Sequence, residues 1–185
     1  MESVKEYVKL IRLPNLLLVV TIQLMMYHWV LIPVLAQYTL EPAMPPADFY
    51  IMLLSSFFIA AGGYVINDYF DMRIDEINKP LTRVVGRTLT KKQTMLFYQV
   101  LSGIGMLLGI LLCVKTRSLT NFLVYVMFLG LLWFYSSSYK RQYVLGNLIV
   151  AFLMIKAISP VLYASFPCSQ KLQKRQKNFW KSMNM

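Results

Sequence analysis

Apolar residues gather along this chain in long runs almost free of charge, and short polar stretches separate them. The first run covers residues 15–37, the second 49–66, the third 94–114 and the fourth 119–135. A fifth, 145–166, is interrupted by Lys156 and Pro160. A helix needs about 20 apolar residues to cross the hydrocarbon core of a bilayer, so the pattern predicts an all-α membrane protein with about five transmembrane helices. Residues 1–13 place Val4, Val8 and Ile11 among Glu2, Lys5, Glu6, Lys9 and Arg12, which suits a short helix lying in the membrane interface. Pro14 then fits a first helical turn, where its missing N–H is not needed.

Breaks and small residues refine this picture. Residues 41–46 hold Pro42, Pro45 and Pro46 and cannot be helical throughout. Gln23 and His28 lie inside the first run, and a lone intramembrane histidine reads as a hydrogen-bonding partner between helices. Ala60-Ala61-Gly62-Gly63 lets a neighbouring helix or a ligand approach the backbone, and Gly103, Gly105 and Gly109 read as packing glycines in the third run. Residues 78–93 and 136–143 are polar and basic loops, and 115–118 is a tight turn. No internal repeat or low-complexity segment interrupts the order.

Composition agrees. The chain is 57% hydrophobic over 185 residues, above the roughly 45–50% of soluble domains, and its mean hydropathy is +0.53. That is one membrane domain, assigned to residues 1–166, followed by a basic tail, 167–185. The net charge of +11 sits between and after the apolar runs, as juxtamembrane anchors and phosphate ligands rather than as a nucleic-acid surface. The segment before the first run is net +1, the first loop −2, the loop after the second run +2, and Lys140 with Arg141 gives +2 after the fourth. By the positive-inside rule this puts the amino terminus and the second loop in the cytoplasm, in an inner-membrane protein. The tail, with five basic residues and no acid, does not fit a fifth crossing. Cys113 and Cys168 have no metal-site spacing and read as an apolar filler and a tail thiol. No cleavable leader is apparent before the first run.

Candidate chemistry is concentrated in one stretch. Straight after the second run, Asp68, Asp71, Asp75 and Glu76 place four acids within nine residues. On a helix at about 100° per residue, Asn67, Asp71, Asp75 and Asp68 fall near 0°, 40°, 80° and 100°, on one stripe. Like charges at this spacing repel, so the stripe calls for a cation, and Mg²⁺ suits hard carboxylate oxygens and completes its shell with phosphate. Acids at the end of a membrane span point to function, although an isolated DxxxD is commonly only a solvated acidic face.

Asn67-Asp68-x-x-Asp71-x-x-x-Asp75 followed by Asn78-Lys79-Pro80 resembles the first aspartate-rich motif of the UbiA superfamily of intramembrane prenyltransferases. Val84-Val85-Gly86-Arg87 is similar to the segment that follows it, Arg12-Leu13-Pro14-Asn15 to the start of the first helix, and Tyr139-Lys140-Arg141 with Leu145-Gly146-Asn147 to the second cytoplasmic loop. The resemblance covers residues 5–152 in the family's order. It implies a nine-helix bundle that joins a polyprenyl diphosphate to an aromatic, tetrapyrrole or glycerol-phosphate acceptor. Asn67, Asp68, Asp71 and Asp75 would hold Mg²⁺ on the diphosphate, with Asp71 and Asp75 catalytic. Arg73, Lys79, Lys140, Arg141, Asn15 and Asn147 would bind substrate.

Overall the chain looks most like bacterial geranylgeranylglycerol-phosphate geranylgeranyltransferase-like members. Family members are longer and carry a second aspartate-rich motif, whereas no Asp or Glu occurs in residues 77–185 here. The resemblance therefore implies an amino-terminal part of such an enzyme, inactive alone, its frame altered near residues 153–167. A non-catalytic membrane protein that binds a prenyl diphosphate or a partner is the alternative. A small transporter is disfavoured for want of paired half-helices.

Overall fold

Each apolar run within residues 2–37, 45–116 and 119–137, the residues the computed structural model describes, is helical. In chain order these are α1 (Glu2–Leu10), α2 (Leu13–Met25), a π-helical turn (Met26–Leu31), α3 (Ile32–Gln37), α4 (Pro46–Asn78), α5 (Lys91–Thr116) and α6 (Leu119–Ser137). Among the described residues there is no strand, only an isolated bridge between Val85 and Leu89. The segments Leu13–Gln37, Pro46–Asn78 and Lys91–Thr116 are each long and apolar enough to cross a membrane. The fourth expected span forms α6. The fifth span and the tail lie outside the described residues.

The first span is continuous but not uniformly α-helical. Pro33 has no N–H to offer the carbonyl one turn back, and its ring crowds that carbonyl. The preceding residues widen into the π-turn Met26–Leu31, a common way for a helix to absorb a local misfit. Tyr27 of this turn is buried and stacks on Phe49 of α4, with ring centroids 3.8 Å apart and planes within 10°. Leu31, Leu35, Met52 and Leu112 complete that apolar cluster. His28 Nε2 lies 3.2 Å from the Tyr50 hydroxyl, so it does link two helices.

The long helix α4 is the column of the molecule. Its 33 residues rise about 50 Å, against a hydrocarbon core of about 30 Å. The acidic stripe is therefore carried past the apolar part without a break in the helix. Gly62 and Gly63 hold neighbours close: a Cβ at Gly62 would fall 2.6 Å from Ser102 Oγ of α5, and one at Gly63 3.0 Å from Leu132 of α6. The Ser55 hydroxyl donates to the Gly105 carbonyl across the α4–α5 seam at 2.7 Å. Gly105 and Gly109 pack tightly, but Gly103 faces open space, with nothing within 4 Å of a Cβ built there. Positions 103 and 105 are about 200° apart around a helix, so only one of them can face α4. At the far end the ammonium of Lys115 pairs with the buried carboxylate of Asp48.

Outward-facing side chains such as Trp29 and Leu107, about 70% exposed, suit a lipid environment. At the polar end, a second apolar cluster joins Leu10 and Leu16 to Ala61, Val65 and Leu101. Val84, Val85 and Leu89 from the stretch between α4 and α5 are buried in the same cluster. Those three residues thus fold the stretch back onto the bundle, while most of its other residues stay exposed. Gly86, with φ of 81°, turns it, and its N–H donates to the Leu89 carbonyl at 2.8 Å.

Candidate functional site

The folded-back stretch, α1 and the end of α4 together enclose a cavity of about 310 Å³. Asp68 and Asp75 reach it from α4, Lys9 from α1, Arg12 from the joint between α1 and α2, and Lys79 and Arg83 from the stretch after α4. Asp68 and Asp75 lie seven residues apart, two helical turns, which brings them back to nearly the same angle. Val84 and Val85 form an apolar wall.

Charge in the cavity is arranged in pairs. The Arg12 guanidinium bonds Asp68 Oδ1 at 2.8 Å and lies 5.3 Å from the centroid of the Tyr64 ring. Arg83 Nη1 pairs with Glu76 at 2.9 Å, while its Nε is buried with no acceptor. The Lys9 ammonium donates to the Thr82 carbonyl at 2.9 Å, and Thr88 Oγ1 lies 3.5 Å from Glu6. Arg87 donates to the Leu81 carbonyl and stiffens the same turn. Four cationic side chains thus surround two carboxylates, a lining that attracts a polyanion yet keeps oxygens for a hard cation.

The stripe expected to act as one set stays linked, since the Asn67 side chain also hydrogen-bonds the Asp68 carboxylate, but only part of it lines the cavity. Asn67 Nδ2 donates to Asp71 Oδ2 at 3.2 Å, and neither residue lines the cavity that Asp68 and Asp75 share. On the neighbouring face Phe70 meets Trp133 of α6 edge-on, with centroids 5.5 Å apart. Among the described residues no three His, Cys, Asp or Glu side chains converge on one point. A cation held wholly by protein ligands is therefore not built here. Mg²⁺ fits in its other mode, in which one or two carboxylates bind it and substrate phosphates complete the shell. Arg83 stands in the lining with its buried Nε donor unsatisfied, a polar group left over for an anion to complete.

Of the residues expected to bind substrate, Lys79 lines the cavity. Arg73 is exposed and about 140° from Asp68 around the helix, and Asn15 is exposed on α2, away from the cavity. Lys140, Arg141 and Asn147 lie outside the described residues. Sequence reasoning did not place Lys9, Arg12 or Arg83 in the site. The available signal was their spacing: Lys9 and Arg12 are three apart, Lys79 and Arg83 four apart, each pair able to face one way.

Residues 30–180 match the family model described as the UbiA prenyltransferase family. The digeranylgeranylglyceryl phosphate synthase of Sulfurisphaera tokodaii is 29% identical over 153 residues, covering 80% of this chain and 49% of that protein. The enzyme of the same name from Sulfolobus acidocaldarius is 36% identical over 103 residues, 56% of this chain and 36% of that one. A solved structure from work on the biosynthesis of digeranylgeranylglyceryl phosphate synthase in membranes superposes with a TM-score of 0.71 at 25% identity, over 89% of this chain and 54% of the other. The chain spans at most about half the length of these proteins.

Proposed function

Because the chain belongs to the UbiA prenyltransferase family, we propose that its cavity is the diphosphate end of a site for prenyl transfer to a glyceryl phosphate acceptor. The observation that carries this reading is the lining itself: Lys9, Arg12, Lys79 and Arg83 around Asp68 and Asp75, at the polar end of helices apolar enough to lie in lipid. A polyprenyl diphosphate has the same division, a polyanion joined to a chain that belongs in the bilayer. The similar proteins named as digeranylgeranylglyceryl phosphate synthases favour a glyceryl phosphate over an aromatic acceptor.

Asp68 and Asp75 would hold Mg²⁺ against the diphosphate, one or two carboxylates with phosphate oxygens completing the shell. When bound, Mg²⁺ supplies Lewis-acid stabilisation of the leaving group's charge. The cations do the corresponding work on the phosphate oxygens. As the allylic C–O bond breaks, its electron pair leaves with the diphosphate, and fixed donors aimed there stabilise the charge. The acceptor hydroxyl then bonds to the allylic carbon and gives its proton to the departing diphosphate. The positive flanks support assigning this end to the cytoplasmic face of an inner membrane.

A second reading, diphosphate binding without transfer, is favoured by one observation: no carboxylate follows Glu76, so residues 77–185 supply no second acidic cluster. Binding of labelled geranylgeranyl diphosphate to the purified protein in detergent, with and without Mg²⁺, tests the shared premise. Asp75→Asn should weaken Mg²⁺-dependent binding about tenfold, equivalent to 1.4 kcal/mol. If Asp71→Asn weakens it and Asp75→Asn does not, the site is built on Asp71 and the cavity is not it. Product formation with a glyceryl phosphate acceptor separates transfer from binding alone.

A further inference from the structure

Arg12 is unusual in its backbone as well as its partners. With φ of 52° and ψ of 53° it is the one non-glycine residue at positive φ among the described residues. A long side chain in the left-handed region costs energy, and such strain persists only where surroundings enforce it. Three features enforce it. Pro14 ends one helix and starts the next. Leu10 and Leu16, either side of the joint, are buried in the polar-end cluster. The guanidinium is held by Asp68 and the Tyr64 ring. The Arg12 side chain is 43% exposed and that of Asp68 21%, so the pair stands at the cavity's edge, where an arriving ion reaches it.

On the proposed reading of the cavity, this pair poses a conflict. Asp68 cannot give the oxygen bonded to Arg12 fully to a metal while that guanidinium stays in place, because the two cations repel. A metal-bound diphosphate resolves the conflict, since its phosphate oxygens offer the guanidinium a planar, bidentate anion in exchange. We infer that Arg12 is an exchangeable counter-ion: it occupies Asp68 while the cavity is empty and passes to the phosphate when the metal-bound diphosphate enters. Metal alone would then bind poorly and diphosphate alone only moderately, while the two together bind well. Arg12 is a positioning residue in this scheme, and it makes metal and diphosphate cooperative.

Arg12→Gly is the informative variant, because glycine adopts positive φ freely and so keeps the joint while removing the guanidinium. Two titrations on purified protein in detergent are required, Mn²⁺ alone followed by its EPR signal, and inorganic pyrophosphate at saturating Mg²⁺ followed by calorimetry. Arg12→Gly should bind Mn²⁺ alone about tenfold tighter and pyrophosphate about tenfold weaker, and Arg12→Lys should fall between it and the natural protein in both. Opposite signs are the signature, because a variant that had merely lost structure would weaken both. Both affinities falling together, or either one unchanged, overturns the exchange while leaving the cavity's assignment intact. Failure of the natural protein to bind pyrophosphate with Mg²⁺ would remove the diphosphate reading, and the exchange with it.

Discussion

Substituting alanine for Gly105 tests how tightly the α4–α5 seam sets the frame of the site. A Cβ there would lie 2.6 Å from Ile59 Cγ1 and 3.1 Å from both the Ile59 amide nitrogen and the Ser55 carbonyl oxygen. Favourable carbon contacts begin near 3.5 Å. Two of the three atoms are backbone, and Ile59 is 1% exposed, so the helices must separate. Overpacking of this kind costs about 1–3 kcal/mol. Separation also lengthens the Ser55–Gly105 hydrogen bond, a class of interhelical bond worth about 0.6 kcal/mol on average in membranes. Against this, alanine is favoured over glycine in a helix by about 0.5–1 kcal/mol. The net expectation is destabilisation by about 1–2 kcal/mol. Gly103→Ala, which meets nothing within 4 Å, keeps only the propensity gain and provides the control. The two variants then differ by about 1.5–3 kcal/mol, so thermal unfolding in mild detergent should separate them by roughly 3–12 °C, taking about 2–4 °C per kcal/mol for a chain of this size. Equal midpoints, or a higher one for Gly105→Ala, would mean the seam is not close-packed as described.

Lys115→Met leaves the Asp48 carboxylate, 8% exposed, without its partner. Because Lys115 itself is 46% exposed, the loss should fall between those of surface and buried pairs, about 1–3 kcal/mol. Adding Asp48→Asn should recover most of it, and a double-mutant cycle with no coupling would refute the pairing. Thr90 and Gln93 form a reciprocal cap at the start of α5: the Thr90 N–H meets Gln93 Oε1 at 2.9 Å, and the Gln93 N–H meets Thr90 Oγ1 at 3.3 Å. Thr90→Ala should cost about 1 kcal/mol, seen as faster hydrogen exchange in the first turn of α5, and Thr90→Ser should restore protection.

The all-α membrane class and the positions of the first four apolar segments were legible because each run is long and nearly free of charge. The helical stripe was legible too, since Asn67, Asp71 and Asp75 recur at a spacing of four. Its partition was not. Asp68 and Asp75 line the cavity while Asn67 and Asp71 do not, because of what faces them, and Arg12 stands 56 residues away in the chain. Long-range pairing of this kind leaves no periodic trace. The stretch after α4 misled for a related reason: its polar and charged residues outnumber Val84, Val85 and Leu89, yet those three decide its position because they join a buried cluster. Gly103 and Gly105 look equivalent as letters, and only the rotation of α5 against α4 tells them apart.

An acidic stripe on one helix is not a site until something opposes its charge. Here the opposing cations come from α1, from the α1–α2 joint and from the stretch after α4, which meet only because the polar-end cluster brings their apolar neighbours together. Leu10 and Leu16 bracket Arg12, Leu10 follows Lys9, and Val84 and Val85 follow Arg83 directly, so these three cations are delivered by buried residues beside them, while Lys79 is carried by the end of α4. Hydrophobic burial thus sets the electrostatics of the cavity, and an apolar change there should act on ion binding without touching a charge. Replacing Val84 or Leu10 with alanine would loosen the seats of Arg83 and Arg12, whereas Leu112, in the cluster around Tyr27 and Phe49, stabilises the same helices without positioning any cation of the cavity.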